Sequence, residues 1–134
     1  MAVNKAYTAY KMASISNSKP EDLVMMLYTG LVRFIMQAQK AIDDNNIEKA
    51  HENITKAQDI IAELEASLNM EYEISHNLML LYDFLYRRLV DANLRKERAI
   101  LDEVLKFAID FRDTWAQAMK KAKEQAQTPL VAEK

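Results

Sequence analysis

The sequence predicts an all-α protein, an antiparallel up-down-up-down four-helix bundle behind a flexible amino-terminal arm. Three observations predict it. Four segments carry apolar residues at alternating steps of three and four, the spacing of one helix face. The links between them are only a few residues long, which makes consecutive helices antiparallel neighbours. Finally, 134 residues contain one glycine and two prolines, too few for the tight turns of a sheet. Half of the chain is apolar and 28% is charged, which suits a single folded domain with a substantial core. Residues 1–17 read as the arm, 18–127 as the bundle and 128–134 as a disordered tail.

The first helix opens at "SKPEDLV". Ser18 and Glu21 have capping-box spacing, and Pro20 suits a first turn whose N–H groups lack helical partners anyway. Lys19 is an alternative cap position. Val24, Leu27, Leu31, Phe34, Ala38 and Ala41 share one face, widened by Tyr28, Ile35 and Ile42. "DDNN" (43–46) stops this helix and starts the next, with Asn45 and Glu48 at capping spacing. The second helix carries a narrow seam of Ile47, Ala50, Ile54, Ala57, Ile61, Leu64 and Leu68. A break at "NMEYE" leads to the third, which ends near Asn93. The fourth begins near Glu97, repeats the seam through Leu101, Val104, Ala108, Phe111, Trp115, Ala118 and Ala122, and ends before Pro129.

The third helix holds more apolar surface than one stripe needs. On a helical wheel, Leu78, Leu81, Leu85, Leu89 and Ala92 face the bundle axis. Met79, Tyr82, Tyr86 and Val90 form a second stripe about a quarter turn away, with Leu80 and Phe84 outside both. Asp83, Arg87, Arg88 and Asp91 interrupt the segment, so it is no membrane span, which needs roughly 20 mostly apolar residues. The second stripe is either the broad contact arc of a helix with two neighbours or a landing surface for another chain. Tyrosine and methionine suit the second role, because Tyr pairs apolar area with a wet hydroxyl and Met adapts its shape. "YTAY" sets Tyr7 and Tyr10 on an arm with no core of its own, where they are either stray rings or a cover for such a surface.

Other functions are excluded on composition and spacing. There is no cysteine, hence no disulfide or thiolate metal site. The formal charge is −2 and the only basic cluster is the short "KKAKEQ", so no nucleic-acid partner is expected. The amino terminus lacks the apolar core of a signal peptide, which points to the cytoplasm. Glu48-Lys-Ala-His51 and Glu73-Ile-Ser-His76 match the Glu-x-x-His motif of di-iron bundles. Antiparallel neighbours put these motifs roughly 27 Å apart along the axis, at 1.5 Å per residue. No metal site, cofactor, catalytic residue or enzymatic activity is therefore expected.

"MLYTG" (26–30), "LYDFLYRRLVDAN" (81–93) and "FRDTW" (111–115), with "YTAY" and "KPEDL", resemble the FliS family of flagellin-specific export chaperones. The likeness runs from about residue 4 to residue 116 in the family's order and spacing; Thr29 departs from the acidic residue or asparagine usual there. The resemblance implies a cytoplasmic helical bundle that binds the disordered carboxy-terminal region of flagellin. It thereby prevents premature polymerisation and assists delivery to the flagellar secretion apparatus. It implies that the amino-terminal arm helps control the binding surface, through Tyr7 and Tyr10. Leu27, Tyr28, Tyr82, Tyr86 and Asn93 match the bundle motifs; with Met79 and Val90 of the second stripe they form the expected partner-binding set. The flagellar export gate, a co-chaperone and a regulator of flagellar genes are further expected partners, and the chain is expected to be a monomer or weak dimer. The competing reading is an adaptor bundle that self-associates through its surplus apolar face.

Overall fold

The structure, a computed structural model, describes residues 20–127. It contains α1 (Pro20–Asp43), α2 (Ile47–Ala66), α3 (Glu73–Arg95) and α4 (Arg98–Gln127). Ser18, the arm and the tail lie outside the described residues. Each helix packs on the next, and α4 returns against α1. Partner numbers fall as residue numbers rise. Arg98 and Asp102 of α4 meet Asp43 and Gln39 of α1, while Trp115 meets Glu21. The bundle is therefore antiparallel throughout, as the sequence predicts.

The core forms where the four seams meet. Leu31, Ile35 and Ala38 of α1 enclose it with Ile54, Ala57 and Ile61 of α2; Leu85 and Leu89 of α3 and Leu101, Val104 and Ala108 of α4 complete it. Gly30 lets α1 approach α2 closely, since a Cβ there would meet the Ile60 Cδ1 methyl at 3.1 Å. Beside it Phe34 is half-buried, with the Arg33 guanidinium 5.0 Å and the Lys56 ammonium 5.4 Å from its ring centre.

The α1–α2 corner corrects one expectation. The cap of α2 is Asn46, whose side chain accepts the Lys49 N–H at 3.1 Å, not Asn45 paired with Glu48. The reason lies in how α1 ends. Asn45 adopts a left-handed conformation (φ 56°), so its N–H reaches the Ile42 carbonyl and the Asn46 N–H reaches the Ala41 carbonyl. This pair of bonds is a Schellman motif, and it moves the next cap one residue along. Lys96 ends α3 in the same left-handed region (φ 51°), its ammonium donating to the Asn93 carbonyl at 2.5 Å and side-chain oxygen at 2.8 Å.

Candidate functional site

Near the Pro20 end, α1, α3 and α4 bring four aromatic rings together. Tyr28 stacks on Phe111 with centroids 5.5 Å apart, and Tyr82 tilts against the same ring at 5.5 Å. Trp115 meets Tyr28 edge-on at 6.5 Å and donates its indole N–H to the Glu21 carbonyl at 2.9 Å. Across the bundle diagonal, the Tyr28 and Tyr82 hydroxyls share a hydrogen bond of 2.6 Å. Burial pushes both phenols above their usual pKa; the bond to Tyr82 partly offsets this at Tyr28, whereas the bond to Tyr28 adds to it at Tyr82. Both rings stay neutral, and the pair satisfies two buried hydroxyls at once.

The structure separates the expected partner-binding residues into three groups. Leu27, Tyr28 and Tyr82 are buried. Tyr82 therefore belongs with Leu85, Leu89 and Ala92 in the core, not with the second stripe of α3, because its hydroxyl finds a partner inside the bundle. Met79, Tyr86, Val90 and Asn93 are half-buried along one flank of α3. Tyr86 packs on the core from this flank, and the Asn93 amide nitrogen lies 2.9 Å from His51 Nδ1 of α2. Tyr7 and Tyr10 lie outside the described residues.

Two apolar surfaces lie where the wheel did not look for them. Leu80 is 70% exposed and Phe84 38%, one helical turn apart on the outer face of α3. Phe84 meets Phe107 of α4 edge-on at 6.1 Å. A large aromatic off both stripes was the available signal, since nothing in the core requires it. The other surface is an open groove of about 760 Å³ between the start of α1 and the end of α4. Trp115, Ala118, Met119, Ala122 and Ala126 line it, flanked by Glu21, Asp22, Lys120 and Lys123. Beyond Trp115 the apolar seam of α4 outruns the bundle, so Ala118 and Ala122, expected as core, are exposed.

Such surfaces can hold an apolar segment, and among the described residues no cluster of His, Asp and Glu is placed to hold a metal ion. His51 sits opposite Asn93, which is 17 residues along α3 from His76, about 26 Å of helix. The two Glu-x-x-His motifs thus lie at opposite ends of the bundle. Among the described residues no helix is long and apolar enough to cross a membrane. Two carboxyls are raised in pKa: Asp59 by burial, and Glu65 by burial first and by neighbouring Asp83 second.

Comparison with known proteins accounts for this architecture. The family model described as "Flagellar protein FliS" matches residues 3–122. The flagellar secretion chaperone FliS of Bacillus subtilis is 43% identical over 119 residues, covering 89% of this chain and 90% of its own. Those of Vibrio cholerae (33%; 81% and 85% covered) and Salmonella typhimurium (32%; 88% and 90%) are similar over nearly the same span. An all-α bundle whose apolar surface exceeds what its own packing uses, matched over almost its full length, belongs to the FliS family of flagellar proteins.

Proposed function

We propose that this chain is an export chaperone that binds the disordered carboxy-terminal region of flagellin in the bacterial cytosol. It holds the client unassembled and assists its delivery to the flagellar secretion apparatus. The observation that carries this reading is unused apolar surface on a folded bundle, in a chain whose relatives are named flagellar secretion chaperones. The open groove at Trp115 and Met119, the Leu80–Phe84 face and the Met79, Tyr86 and Val90 flank offer contact along most of the bundle's length. A disordered client that folds on such a template buries about 1,000–3,000 Å² and spends several kcal/mol on ordering. Holding works by mass action, since the chaperone stabilises only the bound, unassembled form. Leu27, Tyr28 and Tyr82 support the surface from beneath; Tyr7 and Tyr10 act from the arm, competing with the client.

Isothermal titration with the carboxy-terminal segment of the same organism's flagellin tests this. Saturable one-to-one binding with a negative heat-capacity change is expected. No heat at several temperatures, together with failure to co-elute, refutes it.

A further inference from the structure

We propose that α3 and α4 part along their shared seam, at the Glu73 end, without the rest of the bundle unfolding. Arg88–Glu103 bridges that seam on the outside and Tyr82 packs on Phe111 across it inside, while the Tyr28–Tyr82 bond holds α3 to α1 across the bundle. The inference concerns the bundle alone and does not depend on which client it binds.

The four neighbouring pairs of helices are not joined alike. α1 and α2 meet through the close approach at Gly30 and Ile60. α1 and α4 are tied along their whole length, by Arg98–Asp43 at 2.8 Å, Gln39–Asp102 at 2.6 Å, the Tyr28–Phe111 stack and the Trp115 indole on Glu21. α2 and α3 approach each other more closely than α3 and α4 do, and the Asn93 amide lies against His51 between them. α3 and α4 are the least closely packed neighbours, although the link between them is the shortest in the bundle. The link holds their near ends together at Arg95 and Arg98. Farther along they meet through Phe84 on Phe107 and Arg88 against Glu103 toward the outside, and through Tyr82 on Phe111 inside.

The bonds that close the seam are directional. Arg88 makes a two-pronged contact with Glu103, Nε to Oε1 at 3.2 Å and Nη2 to Oε2 at 3.1 Å, and also reaches Asp91. Inside, the Tyr82 hydroxyl crosses the diagonal to Tyr28. Hydrogen bonds fail once heavy atoms separate beyond about 3.5 Å, so a small outward movement of α3 loses both. Apolar contacts fade more gradually with separation, and the loosest seam is where local opening costs least. Opening there brings Tyr82 and Tyr28 to the surface. Two residues that match family motifs yet lie buried thereby become reachable by a partner.

The natural chain has no cysteine, which makes thiol trapping a clean test. Leu85 on α3 and Leu31 on α1 are both fully buried, so Leu85→Cys and Leu31→Cys are matched changes. Each variant is labelled with a thiol reagent under native conditions, and its rate is divided by its own global unfolding rate. The position-85 thiol is expected to react roughly tenfold or more faster on this scale. Adding Arg88→Met should raise its rate severalfold and leave position 31 unchanged. Labelling of both thiols only through global unfolding, or an equal response of both to Arg88→Met, overturns the proposal. Should Leu85→Cys fail to fold, hydroxyl-proton exchange of Tyr28 and Tyr82 in the unaltered protein decides. With each rate taken relative to that of the same group free in water, weaker protection than that of the α1 and α2 core amides supports local opening; equal protection refutes it.

Discussion

Tyr28→Phe removes one hydroxyl from a pair whose two members satisfy each other. The ring and its stacking on Phe111 remain, so the change isolates the polar contact. What is left behind is the Tyr82 hydroxyl, on a side chain 2% exposed, without its partner. An orphaned buried donor or acceptor costs about 1–3 kcal/mol. Tyr82→Phe leaves the Tyr28 hydroxyl instead, on a residue 6% exposed, where water is nearer and the cost should be the smaller of the two. In the double variant neither orphan exists, and most of the loss should return. Urea unfolding followed by helical circular dichroism measures all three. With a slope of about 1–3 kcal/mol per molar urea, a loss of about 2 kcal/mol moves the midpoint by roughly 1 M. Additive single losses, with the double variant the least stable, would refute the reasoning. The pair also carries a pH signature. Both phenols are raised above the ordinary value of 10.0, so their contribution is complete below that pH. It is lost as pH rises further and the unfolded chain ionises. The double variant should lack this part of the alkaline loss.

Other outcomes follow from single positions. Gly30→Leu forces bulk against Ile60 and should cost about 1–3 kcal/mol, read as a lowered melting temperature; a gain would mean α1 and α2 do not touch there. Asn46→Ala should cost about 0.5–2 kcal/mol through the lost cap of α2 while Glu48→Ala costs little, and the reverse order in thermal melts would restore Asn45 and Glu48 as the capping pair. Asp59 has one buried carboxylate oxygen without a hydrogen-bond partner, and burial raises its pKa. Asp59→Asn should therefore raise the melting temperature at pH 7, with the gain shrinking as pH falls toward the ordinary carboxylate range, because the native carboxyl protonates before the unfolded one. Phe84→Ser should weaken flagellin binding in titration more than it lowers stability, because the ring is well exposed; a large loss of stability with unchanged binding would place it in the packing instead.

The helices were legible because seam and burial coincide in most of the chain. Of the α2 seam, Ala50, Ile54, Ala57, Ile61 and Leu64 are enclosed, whereas Ile47 at its start is exposed and Leu68 beyond its end is half-buried. Periodicity cannot show where the neighbours stop, so Ala118 and Ala122 continue the seam yet are exposed among the described residues. Nor does it show which side of a helix each neighbour occupies. Tyr82 lies between two plausible stripes on the wheel, and only a partner 54 positions away decides for the core. The cap at Asn46 was missed for a local reason: adjacent asparagines both suit a cap, and the left-handed turn at Asn45 makes the choice. Leu80 and Phe84 stood apart from both stripes in the sequence, but their exposure needed the positions of α3 and α4.

The order of the helices around the bundle bears on how the chain folds. Among the described residues three of the four interfaces join consecutive helices; α1 with α4, and the Tyr28–Tyr82 bond, link distant parts of the sequence. Mostly local contacts favour rapid collapse, on the microsecond-to-millisecond scale of helical bundles. During synthesis α1, α2 and α3 emerge first and can pair before α4 exists. The Tyr28 ring then waits for Phe111, and the Glu21 carbonyl for Trp115, until the last helix arrives. α4 must therefore leave the ribosome before the aromatic cluster can close, and the fourth helix completes the surface on which a partner would land.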